Sequence, residues 1–283
     1  MILISRAGFR ALRPKQWTKN LLLLVAPFSA GIGIDSKVLT IILGFITFCF
    51  ASSFGYVVND LVDINIDRLH PTKSNRPFAS GDLSRKSGGL LLLFLALGTG
   101  SLFFFLPIKF NLLIILYLIN TFVYTIYLKN VPVIELFSVA SGFVLRLISG
   151  AIILDLVVSE WFLIVGGFGA LFVVTTKRLA EINMNGPHEI RSVSKSYTID
   201  FLLSSANISV AVTISAYSFW AFSHAANPFW YQLTLLPFVM AAFRYRWMLD
   251  NKNIEAPEDA IFSDKTLIIL GISFFMILTL AVY

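Results

Sequence analysis

Nine apolar stretches dominate the chain, at roughly 20–34, 38–58, 88–107, 111–128, 131–154, 160–176, 200–223, 228–249 and 265–283. A helix needs about 20 apolar residues to cross a bilayer, fewer where it is broken against protein. Water cannot solvate a chain with this pattern. Hydrophobic residues make up 57% of its 283 residues and charged residues 13%, whereas a soluble domain carries about a quarter charged. The expected fold is all-α: a polytopic membrane protein with nine transmembrane helices in a single domain over 1–283. A secreted enzyme, a nucleic-acid binder and a disordered scaffold are excluded as classes. The net charge of +6 is therefore read against a membrane bilayer and phosphate, with no nucleic acid as partner. The single Cys49 lies in an apolar run and offers neither a disulfide framework nor a cysteine metal site.

The connections give the orientation. All but three of the 22 Lys and Arg fall in the N-terminal segment, near 59–87, at 129–130, in 177–199 and around 250–264; the exceptions are Lys37, Lys109 and Arg146. Basic loops stay in the cytoplasm, which predicts a multi-pass cell-membrane protein with a cytoplasmic N-terminus and an active site facing the cytoplasm. The basic N-terminal stretch, Arg6 to Lys19, is not followed by a compact apolar core with a small-residue cleavage site. It is read as part of the mature protein.

Chemistry must sit in the two large cytoplasmic connections. The first, after the second span, carries Asn59, Asp60, Asp63 and Asp67 within nine residues. On a helix 59, 63 and 67 share one face, with 60 a turn from 63. Carboxylates gathered at a membrane surface repel one another unless a cation intervenes. Oxygen-only ligands suit Mg²⁺, which keeps waters and bridges to substrate phosphates. Lys73, Arg76, Arg85 and Lys86 follow, able to take the phosphate oxygens that the metal leaves. The bland reading is a solvated loop whose acids balance its bases. Residue chemistry alone reaches a Mg²⁺-diphosphate site at a membrane surface.

At these residues the chain resembles the UbiA superfamily of intramembrane prenyltransferases. Its NDxxDxxxD motif stands at Asn59–Asp67, followed by a K-x-x-R-P-x-x-x-G run at Lys73–Gly81. The likeness covers about 12–225 and implies a UbiA-type nine-helix bundle with Asn59, Asp60, Asp63 and Asp67 as metal ligands. Most members carry a second DxxxD after the sixth span. Here that connection has Glu181 and Glu189, outnumbered by Lys177, Arg178, Arg191 and Lys195. Such a site should prefer a donor with an additional phosphate. With RPKQWTKN at 13–20 and the runs 127–151 and 168–181, the chain is similar to the decaprenyl-phosphate phosphoribosyltransferase branch.

That resemblance implies transfer of 5-phosphoribose from 5-phosphoribosyl-1-diphosphate (PRPP) to a polyprenyl phosphate, with Mg²⁺ and release of diphosphate. It also implies a role in cell-envelope lipid-linked sugar synthesis and self-association into a homo-oligomer. The expected roles are these. Asp60, Asp63 and Asp67 with Asn59 hold the metal, and Lys73 and Arg76 assist the leaving diphosphate. Lys177, Arg178, Arg191 and Tyr197 bind the 5-phosphate or ribose. Glu181 touches a ribose hydroxyl, orients a basic neighbour or completes a second metal site. Lys19, Lys129 and Arg146 position the acceptor phosphate. Lys19 and Lys129 lie at span ends, where a snorkelling anchor is an equal reading. Arg146 lies inside a span, where a charge is a functional hypothesis by default. Glu135, eleven residues earlier, is about three helical turns away and no obvious partner for it. His70, His188 and His224 form no cluster in sequence.

Two other readings compete. A UbiA-type prenyltransferase joining a prenyl diphosphate to an aromatic acceptor would want the second DxxxD. A membrane transporter would want broken helices or intramembrane charges in matching halves.

Overall fold

The computed structural model describes residues 5–31, 37–184, 193, 196–224, 227–251 and 263–283. Every regular element among them is helical. The chain opens with α1 (Arg6–Ala11), a 3-10 stretch at Pro14–Leu24 and α2 (Val25–Ser29). Then come α3 (Val38–Val62), α4 (Ile64–Arg68), α5 (Arg85–Leu102) and α6 (Ile108–Ile126). After them run α7 (Ile134–Ile152), α8 (Glu160–Met184) and α9 (Ile199–Ser223). The last three are α10 (Pro228–Leu233), α11 (Leu235–Asn251) and α12 (Lys265–Val282).

Seven helices among the described residues are long and apolar enough to cross a membrane: Val38–Val62, Arg85–Phe105, Ile108–Ile126, Ile134–Ile152, Glu160–Ile182, Ile199–Ser223 and Lys265–Val282. These coincide with seven of the nine expected spans. The other two expected segments take different forms. The first is a 3-10 stretch entered at Pro14, followed by five residues of α-helix containing Pro27. Its Leu23 carbonyl lies so close to Gly150 that a Cβ there would collide with it. The eighth is divided at Thr234 into α10 and a 17-residue α11. Pro237 has no N–H for the carbonyl of Leu233, so a continuous helix loses a bond at that point. Thr234 fills the break by bonding the Tyr231 carbonyl and the Tyr217 hydroxyl.

The described chain divides into two compact units. The first holds the chain up to Phe28, α3 to α6, and Leu145–Val157. Its cores gather Leu23, Phe48, Phe110, Ile114 and Tyr117, and, around α5, Val57, Phe78, Leu91 and Leu95. The second holds Asn130–Val144 and the chain from Val158 onward, with Leu136, Ala170, Val174, Tyr197 and Leu202 in one cluster. Large apolar side chains stay exposed along the spans, as at Leu112, Leu116, Ile119, Phe122 and Ile126 on α6. That is the surface a bilayer would cover.

Candidate active site

The acids of the first connection sit where α3 stops. Asn59 and Asp60 lie in its last turn, Asp63 ends it, and Asp67 lies in the short α4. The C-terminal end of a helix carries partial negative charge, so carboxylates there need cations nearby. The first unit supplies three. Arg13 Nη2 lies 2.5 Å from Asp60 Oδ1, and Lys129 Nζ lies 2.5 Å from Asp63 Oδ1. Arg76 Nη1 serves two acids at once, 3.2 Å from Asp60 Oδ1 and 2.7 Å from Asp67 Oδ2. Asp60 and Asp67 are 2% and 3% exposed, and carboxylates so buried need such partners.

Local chemistry explains each approach. Arg76 precedes Pro77, which biases it to extended backbone, and its φ and ψ are −66° and 144°. This extended residue separates the 3-10 turn at Lys73–Asn75 from the loop that runs to Gly81, whose φ of +88° favours glycine. Arg13 stands at φ 52°, where the chain turns into the 3-10 stretch. That stretch is tied to α3 through Trp17 Nε1 on Ser53 Oγ at 3.0 Å, and Ser53 Oγ donates to the Leu12 carbonyl at 2.9 Å.

The helical reading of the acids is thus refined. Asp60 and Asp67, seven residues or about two turns apart, converge on Arg76, while Asp63 turns to Lys129. Asn59 is half-buried beside them. Among the described residues no three His, Cys, Asp or Glu side chains gather round one metal position. The pair of carboxylate oxygens flanking a single Arg76 nitrogen is nonetheless a fit for Mg²⁺. The donors are hard oxygens, and this ion binds through one or two carboxylates while keeping waters for substrate phosphate.

A second cluster lies in the other unit. Glu135, in the first turn of α7 and wholly buried, accepts two bonds from Arg178 of α8, at 2.8 Å from Nε and 2.7 Å from Nη2. Arg178 Nη1 also holds Glu181, 2.5 Å away and one turn along α8. The Tyr197 hydroxyl accepts the N–H of Val133 at 2.7 Å and donates to Glu135 Oε1 at 3.5 Å. Burial pushes the Tyr197 phenol above its ordinary pKa, against the lowering effect of the Val133 bond. Lys177 is half-buried beside Arg178. Arg191, expected here as a phosphate ligand, lies outside the described residues.

Arg146 forms a third polar centre in the first unit. Its Nε donates to Asn20 Oδ1 at 2.8 Å and its Nη2 to the Tyr117 hydroxyl at 2.9 Å. The guanidinium also stands over the rings of Tyr117 and Phe48. Asn20 is anchored in turn by Cys49 and Ser52 of α3. Of the remaining expected ligands, Lys19 and Lys73 are half-buried.

A model of the UbiA prenyltransferase family matches residues 21–276. The chain belongs to the UbiA prenyltransferase family. It is therefore a multi-pass membrane transferase. Among its UbiA relatives, a protein of Corynebacterium glutamicum named decaprenyl-phosphate phosphoribosyltransferase is 36% identical, over 97% of this chain and 86% of that one. A protein of the same name from Mycolicibacterium smegmatis is 33% identical, over 97% and 92%. The structure of a UbiA homolog from Archaeoglobus fulgidus bound to GPP and Mg²⁺ superposes with a TM-score of 0.77 over 98% of this chain and 99% of that one, at 18% identity. At that identity the likeness concerns the fold.

Sequence reasoning passed over two residues that the geometry brings forward. In sequence Arg13 stands in the basic N-terminal stretch and the RPKQWTKN run with no site role, although a cation next to a proline ahead of an apolar run is a usable signal. Along the sequence Glu135 has Arg146 as the basic residue of its own helix, three turns away. A lone acid within an apolar stretch should have prompted a search for a basic partner on another helix.

Proposed function

We propose that this UbiA-family protein transfers 5-phosphoribose from PRPP to a polyprenyl phosphate. The bond from ribose C1 to the diphosphate breaks, the diphosphate leaves with the electron pair, and a lipid phosphate oxygen bonds to C1. The observation that carries this reading is the 36% identity, over 97% of the chain, to a protein named decaprenyl-phosphate phosphoribosyltransferase.

Asp60 and Asp67 would hold Mg²⁺, which neutralises charge growing on the leaving diphosphate. The three acids Asp60, Asp63 and Asp67 are matched by Arg13, Arg76 and Lys129. A bare dication would add uncompensated charge to this neutral cluster. A metal diphosphate would differ, because Arg13 and Arg76 could turn from the carboxylates to its phosphate oxygens. Arg76 and Arg13 are therefore assigned to the diphosphate, with Lys73 beside them. Lys177 and Arg191 are assigned to the 5-phosphate, while Arg178 and Tyr197 hold Glu135 and Glu181 in place. The acceptor phosphate is anionic near neutral pH and needs no general base. Lys19, Lys129 and Arg146 are assigned to its positioning. The product would enter cell-envelope lipid-linked sugar synthesis.

One observation favours the second reading, a prenyl diphosphate donor. Glu135 balances the charge of Arg178, so the surplus positive charge counted along the 177–199 connection shrinks once the chain is folded. One assay separates the two. Purified protein is incubated with Mg²⁺, labelled PRPP and a polyprenyl phosphate. Label in the lipid phase that is lost with EDTA and in Asp67→Ala is the expected result. Absence of labelling, alongside turnover of a prenyl diphosphate with an aromatic acceptor, overturns the phosphoribosyl reading.

A further inference from the structure

A cavity of about 230 Å³ lies in the first unit, and none of its lining residues belongs to the acid–base cluster of Asp60, Asp63 and Asp67. Buried Phe78 and Leu83 line it on the apolar side, and Arg68, Ser84 and Arg85 on the polar side. Ser84 caps α5 by accepting the N–H of Ser87 at 3.1 Å, so the positive end of an 18-residue helix starts here. The first turn of that helix has no acid and carries Arg85 and Lys86. Basic side chains at a helix N-terminus oppose the macrodipole. Arg68 adds a third positive charge, held at the cavity by its Nε bond to the Ala79 carbonyl at 3.2 Å. Asp82, the acid on the same loop, pairs with Arg10 at 3.6 Å. Two arginines and a helix terminus thus border one cavity, with Lys86 on the same helical turn, an arrangement that an anion converts from repulsive to favourable.

The surroundings of the cavity narrow the choice of anion. Over its next turns α5 exposes Leu90, Leu93, Phe94 and Leu97, on a helix apolar enough to cross a membrane. An anion carried on acyl chains can use both features, whereas a soluble anion uses only the first. We propose that the cavity binds the phosphate of an anionic phospholipid, with its acyl chains lying along the exposed face of α5. This lipid is distinct from the reacting substrates, and its binding does not depend on which donor the enzyme uses.

The test is thermal unfolding of delipidated protein in neutral detergent with EDTA, titrated with short-chain phosphatidylglycerol. The midpoint should rise with lipid concentration, and phosphatidylcholine of the same chain length should not raise it. Arg85→Gln with Lys86→Gln should weaken the apparent affinity about fivefold for each charge removed. Arg85→Lys, which keeps the charge, should retain binding. Asp63→Asn should also retain it, which separates this cavity from the acid cluster. Equal protection by phosphatidylcholine, or an unchanged affinity in the double variant, overturns the site. An equal shift with inorganic phosphate overturns the lipid as its source and assigns the cavity to a soluble phosphate.

Discussion

Arg178 pairs at two points with Glu135, 43 residues earlier in the chain, and both side chains are withdrawn from solvent. Removing Arg178 takes the cation from a wholly buried Glu135, and removing Glu135 leaves buried Arg178 to Glu181. Glu135→Ala or Arg178→Ala should therefore destabilise the second unit by about 3–5 kcal/mol. Glu135→Gln with Arg178→Met should lose less than the sum of its single variants. Unfolding in a detergent titration checks both. Additive losses would show that the pair is not coupled.

Arg76 contacts both Asp60 and Asp67, the two carboxylates that would hold a metal. Arg76→Gln should tighten the binding of bare Mn²⁺, read by its spin-resonance signal, because the competing guanidinium is gone. The same variant should weaken binding of diphosphate with metal, since it removes a ligand of the phosphate oxygens. In the unaltered protein, diphosphate should raise Mn²⁺ affinity by an order of magnitude or more, about 1.4 kcal/mol for each tenfold.

Asp67→Ala should lower turnover on the order of 10²-fold or more, the scale for losing a group that stabilises charge in the transition state. The KM for the lipid acceptor should change far less than kcat. A matching rise in acceptor KM would place Asp67 in acceptor binding instead.

Gly150 faces the Leu23 carbonyl without room for a Cβ. Gly150→Ala should cost about 1–3 kcal/mol, because the opposing atom is backbone and cannot rotate aside. The variant should unfold at a lower temperature while its helical circular dichroism remains. Gly100→Ala, at a helical glycine with open space around it, is the control and should leave the midpoint unchanged or raise it.

Tyr197 links the end of the 177–199 connection to α7 through Val133 and Glu135. Tyr197→Phe should cost about 1 kcal/mol near neutral pH, the net value of a hydrogen bond. The folded phenol has a raised pKa, so the folded state holds this proton more tightly than the unfolded chain does. Its contribution is complete below the unfolded value near 10 and is lost as pH rises through the folded value. The stability gap between Tyr197→Phe and the unaltered protein should therefore narrow above about pH 10.

The apolar runs, the acidic motif at 59–67 and the Arg76–Pro77 turn were legible in sequence because each rests on neighbours within a few residues. Hydropathy over some twenty positions decides which segments lipid can solvate, and proline fixes its local backbone wherever it stands. Hydropathy and the spacing of the acids are enough for the membrane fold and the first acid cluster. Pairings between distant residues were out of their reach. Arg13 reaches Asp60 across 47 residues and Lys129 reaches Asp63 across 66. Those contacts depend on which helix faces pack together, and hydropathy does not encode that choice. A count of charge along the 177–199 connection leaves out Glu135 for the same reason: it enters from another helix and pairs with Arg178. Sequence determined what had to be buried in lipid and which oxygens could meet a metal. Tertiary packing decided which cation each carboxylate received, because ion pairing is set by distance in space.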